Sequence, residues 1–92
     1  MANEFDALLK RFPMVAVCWR DAHTEAGWCE TEEAQAMTPS PAVTVGFLVK
    51  EADGTIKLVS TVGEENVADK MPIPGGCVAR MGKLVWESEH ER

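Results

Sequence analysis

The chain is short of positive charge. Lys and Arg total 9 against 15 Asp and Glu in 92 residues, a formal net charge of −6. Proteins that coat phosphate backbones neutralise them with clustered Lys and Arg, so this balance excludes a double-stranded DNA binder of that kind. Long apolar runs are also missing. No stretch approaches the roughly 18 residues of a membrane span, and the N-terminus lacks a basic start and an extended apolar segment. A cytoplasmic protein with no membrane partner is the expectation. Cysteine is scarce and odd in number: Cys18, Cys29 and Cys77 do not make the even disulfide framework of a small secreted domain. Leu, Ile, Val and Phe together number 20, enough for one thin core and too few for two. Domains of this size bury only about 60% of the surface their unfolded chain exposes, so help from a partner or a second copy is common.

What is present reads as one domain over residues 1–86, with a polar tail at 87–92. Residues 2–12 read as a helix. Asn3 caps it, Asp6 completes an approximate capping box, and Phe5, Leu8, Leu9 and Phe12 fall on one face of a 3.6-residue period. Pro13 stops it, and the Phe/Leu face must dock on something. Residues 14–20 (MVAVCWR) are Val-rich and apolar on both faces, as a central strand would be. Residues 43–51 (VTVGFLVKE) form a second strand, with Gly46 marking a bend or bulge. Asp53-Gly54 is the strongest hairpin signal, returning into residues 55–62. An acidic loop over 63–69 precedes a short strand, a break at Pro74-Gly75-Gly76 and a last strand or 3₁₀ turn. One helix and about five short strands suit a mainly β (α+β) domain, a small and strongly bent barrel in which closure removes exposed sheet edges.

Between the first two strands lies an acidic insertion, residues 21–42. It holds Asp21, Glu25, Glu30, Glu32 and Glu33 and no Lys or Arg. Thr31 is placed to cap one or two helical turns. About 20 residues is long for a loop in a compact domain. Trp28 reads as the anchor that pins the insertion to the barrel, and also as the aromatic best placed for exposure.

Catalytic and metal chemistry find little support. Cys18, His23, Cys29 and Cys77 are spaced too loosely for a structural zinc site, and buried cysteines with a surface histidine explain them. A cysteine nucleophile has only His23 and His90 as bases. Glu32-Glu33 and Glu64-Glu65 are neighbours that do not face each other on a helix or strand. Pro74-Gly75-Gly76 has neither the Lys-Ser/Thr ending nor the following helix of a phosphate loop. No enzyme, metal or cofactor is expected.

The hairpin VTVGFLVKEADGTIKLVS resembles the first motif of the Sm-like proteins, with Gly46 and Leu48 in the first strand, Asp53 in the acidic turn and Leu58-Val59 in the second. The stretch MPIPGGCVARM resembles the second motif, through Ile73, Gly75, Val78 and Met81. Lys57 stands near the place of the family's Asn, Pro74 precedes Gly75 where a basic residue is usual, and the acidic insertion replaces a short turn. WRDA, GW, EEA, VGFLVKE and PGGC also resemble the cadence of a group of short phage-encoded proteins. The Sm resemblance implies a homo-oligomeric ring of about five or six copies, formed by edge strands pairing between subunits, with ligands near the pore. In such a barrel Lys57, Arg80 and Lys83 would gather on one rim and, with Trp28, hold a small anionic ligand such as a nucleotide, or a short single-stranded RNA. The alternative expectation is an inhibitor or adaptor that docks on a basic host protein through Asp21, Trp28, Glu30, Glu32 and Glu33.

Overall fold

The computed structural model describes residues 3–87. The expectations for residues 1–2 and for the tail at 88–92, including His90, lie outside the described residues. The described chain comprises helix α1 (Glu4–Arg11), strand β1 (Met14–Asp21), a short helix α2 (Thr31–Gln35), strands β2 (Ser40–Ala52), β3 (Thr55–Val62) and β4 (Val67–Pro74), a 3₁₀ turn (Gly75–Cys77) and strand β5 (Val78–Lys83). The expectation of a mainly β fold with an N-terminal helix and five strands holds. The strands form one antiparallel sheet in the order β4-β3-β2-β1-β5. Among the described residues no ladder joins β4 to β5, so both remain sheet edges. Among the described residues no helix is long and apolar enough to cross a membrane.

Local signals account for the ends of the elements. The Asn3 side chain accepts from the Phe5 and Asp6 amides at 3.0 and 3.1 Å, and Asp6 accepts the Asn3 amide in return at 3.2 Å. These bonds satisfy the open donors of the first turn, and Glu4 and Asp6 suit its positive end. Pro13 stops the helix, and its carbonyl accepts the Leu48 amide at 2.8 Å, which ties the helix exit to β2. Arg11 donates to the Gly63 carbonyl at 3.0 Å. The two-residue turn between β2 and β3 has positive φ at both Asp53 (55°) and Gly54 (70°), the twist of a type I′ hairpin.

The sheet is strongly curled. β2 pairs with β1 from Ser40 to Phe47 and with β3 from Phe47 to Ala52, so its two halves serve different neighbours. Gly46 sits at the changeover. A Cβ there would lie 3.0 Å from the Val59 carbonyl oxygen, so any side chain would press β3 back by a few tenths of an ångström. The bulge itself comes later, between Leu48 and Lys50. At the hairpin end the Gly75 amide donates to the Gly54 carbonyl at 2.7 Å, and a Cβ on Gly75 would fall 2.9 Å from that oxygen. The curl brings Val15 and Val17 of β1, Ile56 and Leu58 of β3 and Ile73 of β4 into one buried cluster, flanked by Trp19, Leu48, Val78 and Met81. Burial of such side chains contributes about 1.5–3 kcal/mol each. No polar or charged residue is buried among the described residues.

Several boundaries and roles differ from the sequence reading. β2 starts at Ser40, because β1 continues to Asp21 and offers it a full ladder; the segment between strands shrinks to residues 22–39. Val67 to Asp69 belong to β4, not to a loop, held by Val62 and Thr61 across the ladder. Thr31 does not cap α2; Glu30 takes that place without a side-chain cap bond. Trp28 does not anchor the segment: it is fully exposed, and every residue from 22 to 39 is exposed as well. With no buried residue along it, the segment gives Trp28 nothing to pack into. Helix α1 buries no residue either, and Phe5 is 66% exposed. The radius of gyration, 17.6 Å with a longest extent of 62 Å, exceeds the about 13 Å of a compact 100-residue domain.

Gly46→Val should lower stability by about 1–3 kcal/mol, because the new side chain must push β3 away from β2. A urea midpoint equal to that of the wild type would show that β3 yields freely.

Candidate functional site

Opposite residues in an antiparallel ladder share a face. Val15, Val17 and Trp19 of β1, with Thr44 and Leu48 of β2, line the inner face, where the Trp19 indole donates to Thr44 Oγ1 at 3.0 Å. Met14, Ala16 and Cys18, paired with Phe47, Val45 and Val43, line the outer face. Val43 and Val45 are 67% and 61% exposed.

The four residues expected to share one ligand do not meet within a chain. Lys57 lies on the outer face of β3, opposite Lys50. Arg80 lies on the outer face of β5, opposite Cys18. Strands β2 and β1 separate them, roughly 14 Å of sheet at about 4.8 Å per strand. Lys83 pairs with Val15 and shares the inner side at the open end of β5. Trp28 lies on the acidic segment with its side chain fully exposed, so it packs against none of the three.

Lys57 instead has companions that the sequence reading missed. Strict alternation along β2 would set Lys50 on the inner side with Gly46 and Leu48. The extra residue between Leu48 and Lys50 reverses this and turns Lys50 outward, directly across from Lys57. On the other flank Lys70 pairs with Val59, two residues along the same face, which makes it the diagonal neighbour of Lys57. Three of the five lysines of an acidic chain thus lie side by side on three adjacent strands. Of the carboxylates of these strands, Glu51 turns away, paired with Ile56 on the core side, and Asp69 is engaged by a hydroxyl, accepting from Ser60 Oγ at 2.9 Å. Among the described residues no carboxylate lies within 4 Å of any of the three ammonium groups. The signal that could have exposed this cluster was the register, which a single bulge decides.

The segment of residues 22–39 holds Glu25, Glu30, Glu32 and Glu33 around Trp28, all exposed; Asp21 closes β1 opposite Ser40. At its base Ser40 Oγ lies 3.3 Å from His23 Nδ1, and His23 Nε2 lies 3.7 Å from Glu25 Oε1. The sequence reading saw no assembly of hydroxyl, imidazole and carboxylate, and here the three line up. Ser40 and Glu25 are exposed, so the row lies at the surface at the base of the segment. Cys18 and Cys77 are half-buried and Cys29 is exposed; among the described residues no three His, Cys, Asp or Glu side chains converge as a metal would require. An open groove of about 560 Å³ runs between α1 and the chain after β5, with Leu9, Phe12, Met14, Leu84 and Trp86 on its walls.

No family model matches the chain, and neither a curated protein nor a solved structure matches it.

Like charges directly opposite on a sheet repel. Lys57→Thr should therefore raise folding stability by about 0.2–1 kcal/mol at low salt, and the gain should shrink as salt screens the pair. Denaturant titrations at two salt concentrations measure it; a gain indifferent to salt would assign it to strand propensity instead of charge.

Proposed function

We propose that the chain is a non-catalytic, self-assembling binding protein of Sm-like type, of the kind phages encode, which forms a closed ring of about five or six copies and holds a small anionic ligand, a nucleotide or a short single-stranded RNA. The observation that carries this reading is the sheet itself: five curled strands whose two outermost members, β4 and β5, are each paired on one side only among the described residues. Unpaired edges are templates for a further strand, and β4 of one copy against β5 of the next repeats head to tail until rotation closes it. Pro72 and Pro74 lack amide donors, and proline in a sheet sits with that gap facing outward. Residues 67–71 are then the stretch of β4 that offers a full set of donors to β5. Exposed Val67 and Met71 in this stretch gain cover on pairing.

Such pairing also brings the expected ligand residues closer. Arg80 is on the outer face of an edge strand. Across a β5–β4 seam it stands two strands from Lys57 of the next copy, against three strands from its own. The negative charge summed over several copies disfavours long phosphate backbones and leaves compact anions as the ligands that a local cationic patch can hold.

A second reading rests on Trp28. A fully exposed Trp followed in sequence by exposed Glu30, Glu32 and Glu33, with Asp21 before it, suits an adaptor that docks on a basic host protein. Tryptophan anchors bury well, and surrounding carboxylates steer toward cations.

Light scattering of the purified chain should give several times 10.1 kDa; a mass of one chain removes the ring. Lys57→Glu with Arg80→Glu should abolish binding of a nucleotide or oligo-U, whereas loss of a basic protein partner on Trp28→Ala, with anion binding intact, would favour the adaptor.

A further inference from the structure

We propose that Lys50, Lys57 and Lys70 form an anion site complete within one chain, and that its ligand is a linear oligophosphate such as the triphosphate chain of a nucleotide. The inference rests on the anionic-ligand reading above and deepens it. It does not need the ring.

Charge separation within the sheet carries the argument. Across β2, β3 and β4, every lysine is on the outer face, the one carboxylate paired in the ladder, Glu51, is turned to the other side, and Asp69 is engaged by the Ser60 hydroxyl. Chance scatter of solubilising charge interleaves the two signs; this face keeps one. Lys50 and Lys57 are direct opposites, with side-chain roots about 5 Å apart, and Lys70 is a diagonal neighbour about 7–8 Å from Lys57. Each ammonium raises the cost of its neighbours until an anion arrives, so an empty triad is a strained arrangement of charge and an occupied one is relaxed. The bulge at Val49 is what places Lys50 there.

The dimensions select the ligand. From β2 to β4 is two strand spacings, about 10 Å, and flexible lysine stems can converge from that span on one small group. Lysine binds phosphate as a point charge with three rotatable donors and does not require a planar, bidentate partner. Carboxylates close off both ends of the patch: Asp53 in the β2–β3 turn, and Glu64 and Glu65 in the β3–β4 connection. A long backbone leaving the triad would run into them. Several negative charges on a short chain would not.

The test is an NMR titration of the full chain with inorganic tripolyphosphate and, separately, with ATP. Tripolyphosphate should give saturable shifts centred on Lys50, Lys57 and Lys70. Lys57→Gln should weaken binding about fivefold, while Arg20→Gln, the same charge change elsewhere, should leave it nearly unaltered. Added salt should weaken binding steeply. No saturable shift with tripolyphosphate, or equal weakening by both variants, overturns the site. If ATP follows the same pattern, the phosphate chain comes from a nucleotide; if ATP is silent while tripolyphosphate binds at the triad, the site takes free polyphosphate. ATP binding that ignores Lys57→Gln overturns it. Light scattering on the same sample separates the two readings: a monomer that binds keeps the triad and loses the ring, and a ring that does not bind does the reverse.

Discussion

Everything in this fold depends on bringing the inner faces of non-adjacent strands together. Val15 and Val17 on β1 have to reach Ile56, Leu58 and Ile73 on β3 and β4, although β2 lies between them in the sheet. A flat sheet would leave these side chains in water. Only a hard curl makes a core, and two glycines ease it: a Cβ on Gly75 would collide with the Gly54 carbonyl, and one on Gly46 would crowd the Val59 carbonyl. The core is small, and it contains no polar side chain that would need a partner.

The same curl organises the surface. Bending β2 through its changeover of partners goes with a bulge, and the bulge reverses the facing of every residue after it. Lys50 is thereby removed from the apolar side, where an ammonium would be costly to bury, and set beside Lys57. The same backbone irregularity turns Glu51 to the core side, where it stays exposed, and builds the cationic face. The outer strands carry a further consequence: among the described residues the curled sheet keeps two edges, β4 and β5, and the proposed assembly would use them.

Much of the fold was legible in the sequence because its signals are local. Asn3 with Asp6 marks a helix start within four residues, Pro13 marks its end, and Asp53-Gly54 names its own turn. Residues 55–62 were read with their bounds unchanged for the same reason. The candidate site was much less legible. Lys57 was singled out, but its companions depend on register across three strands, and a one-residue slip moves a side chain to the other face. Arg80 and Lys83 looked equivalent in sequence and lie on opposite faces. Trp28 was expected to pack because tryptophan usually does; composition could not show that its segment would lack any apolar partner. The alignment of Ser40, His23 and Glu25 joins residues 17 apart and left no trace in spacing.

The elongated form of the chain has a hydrodynamic consequence. A chain 62 Å long and 22 Å thick drags more solvent than a sphere of equal mass. On a sizing column a single copy will emerge early, at a position that a globular calibrant would assign to a small oligomer. Apparent size from elution and true particle weight therefore part company for this molecule by geometry alone.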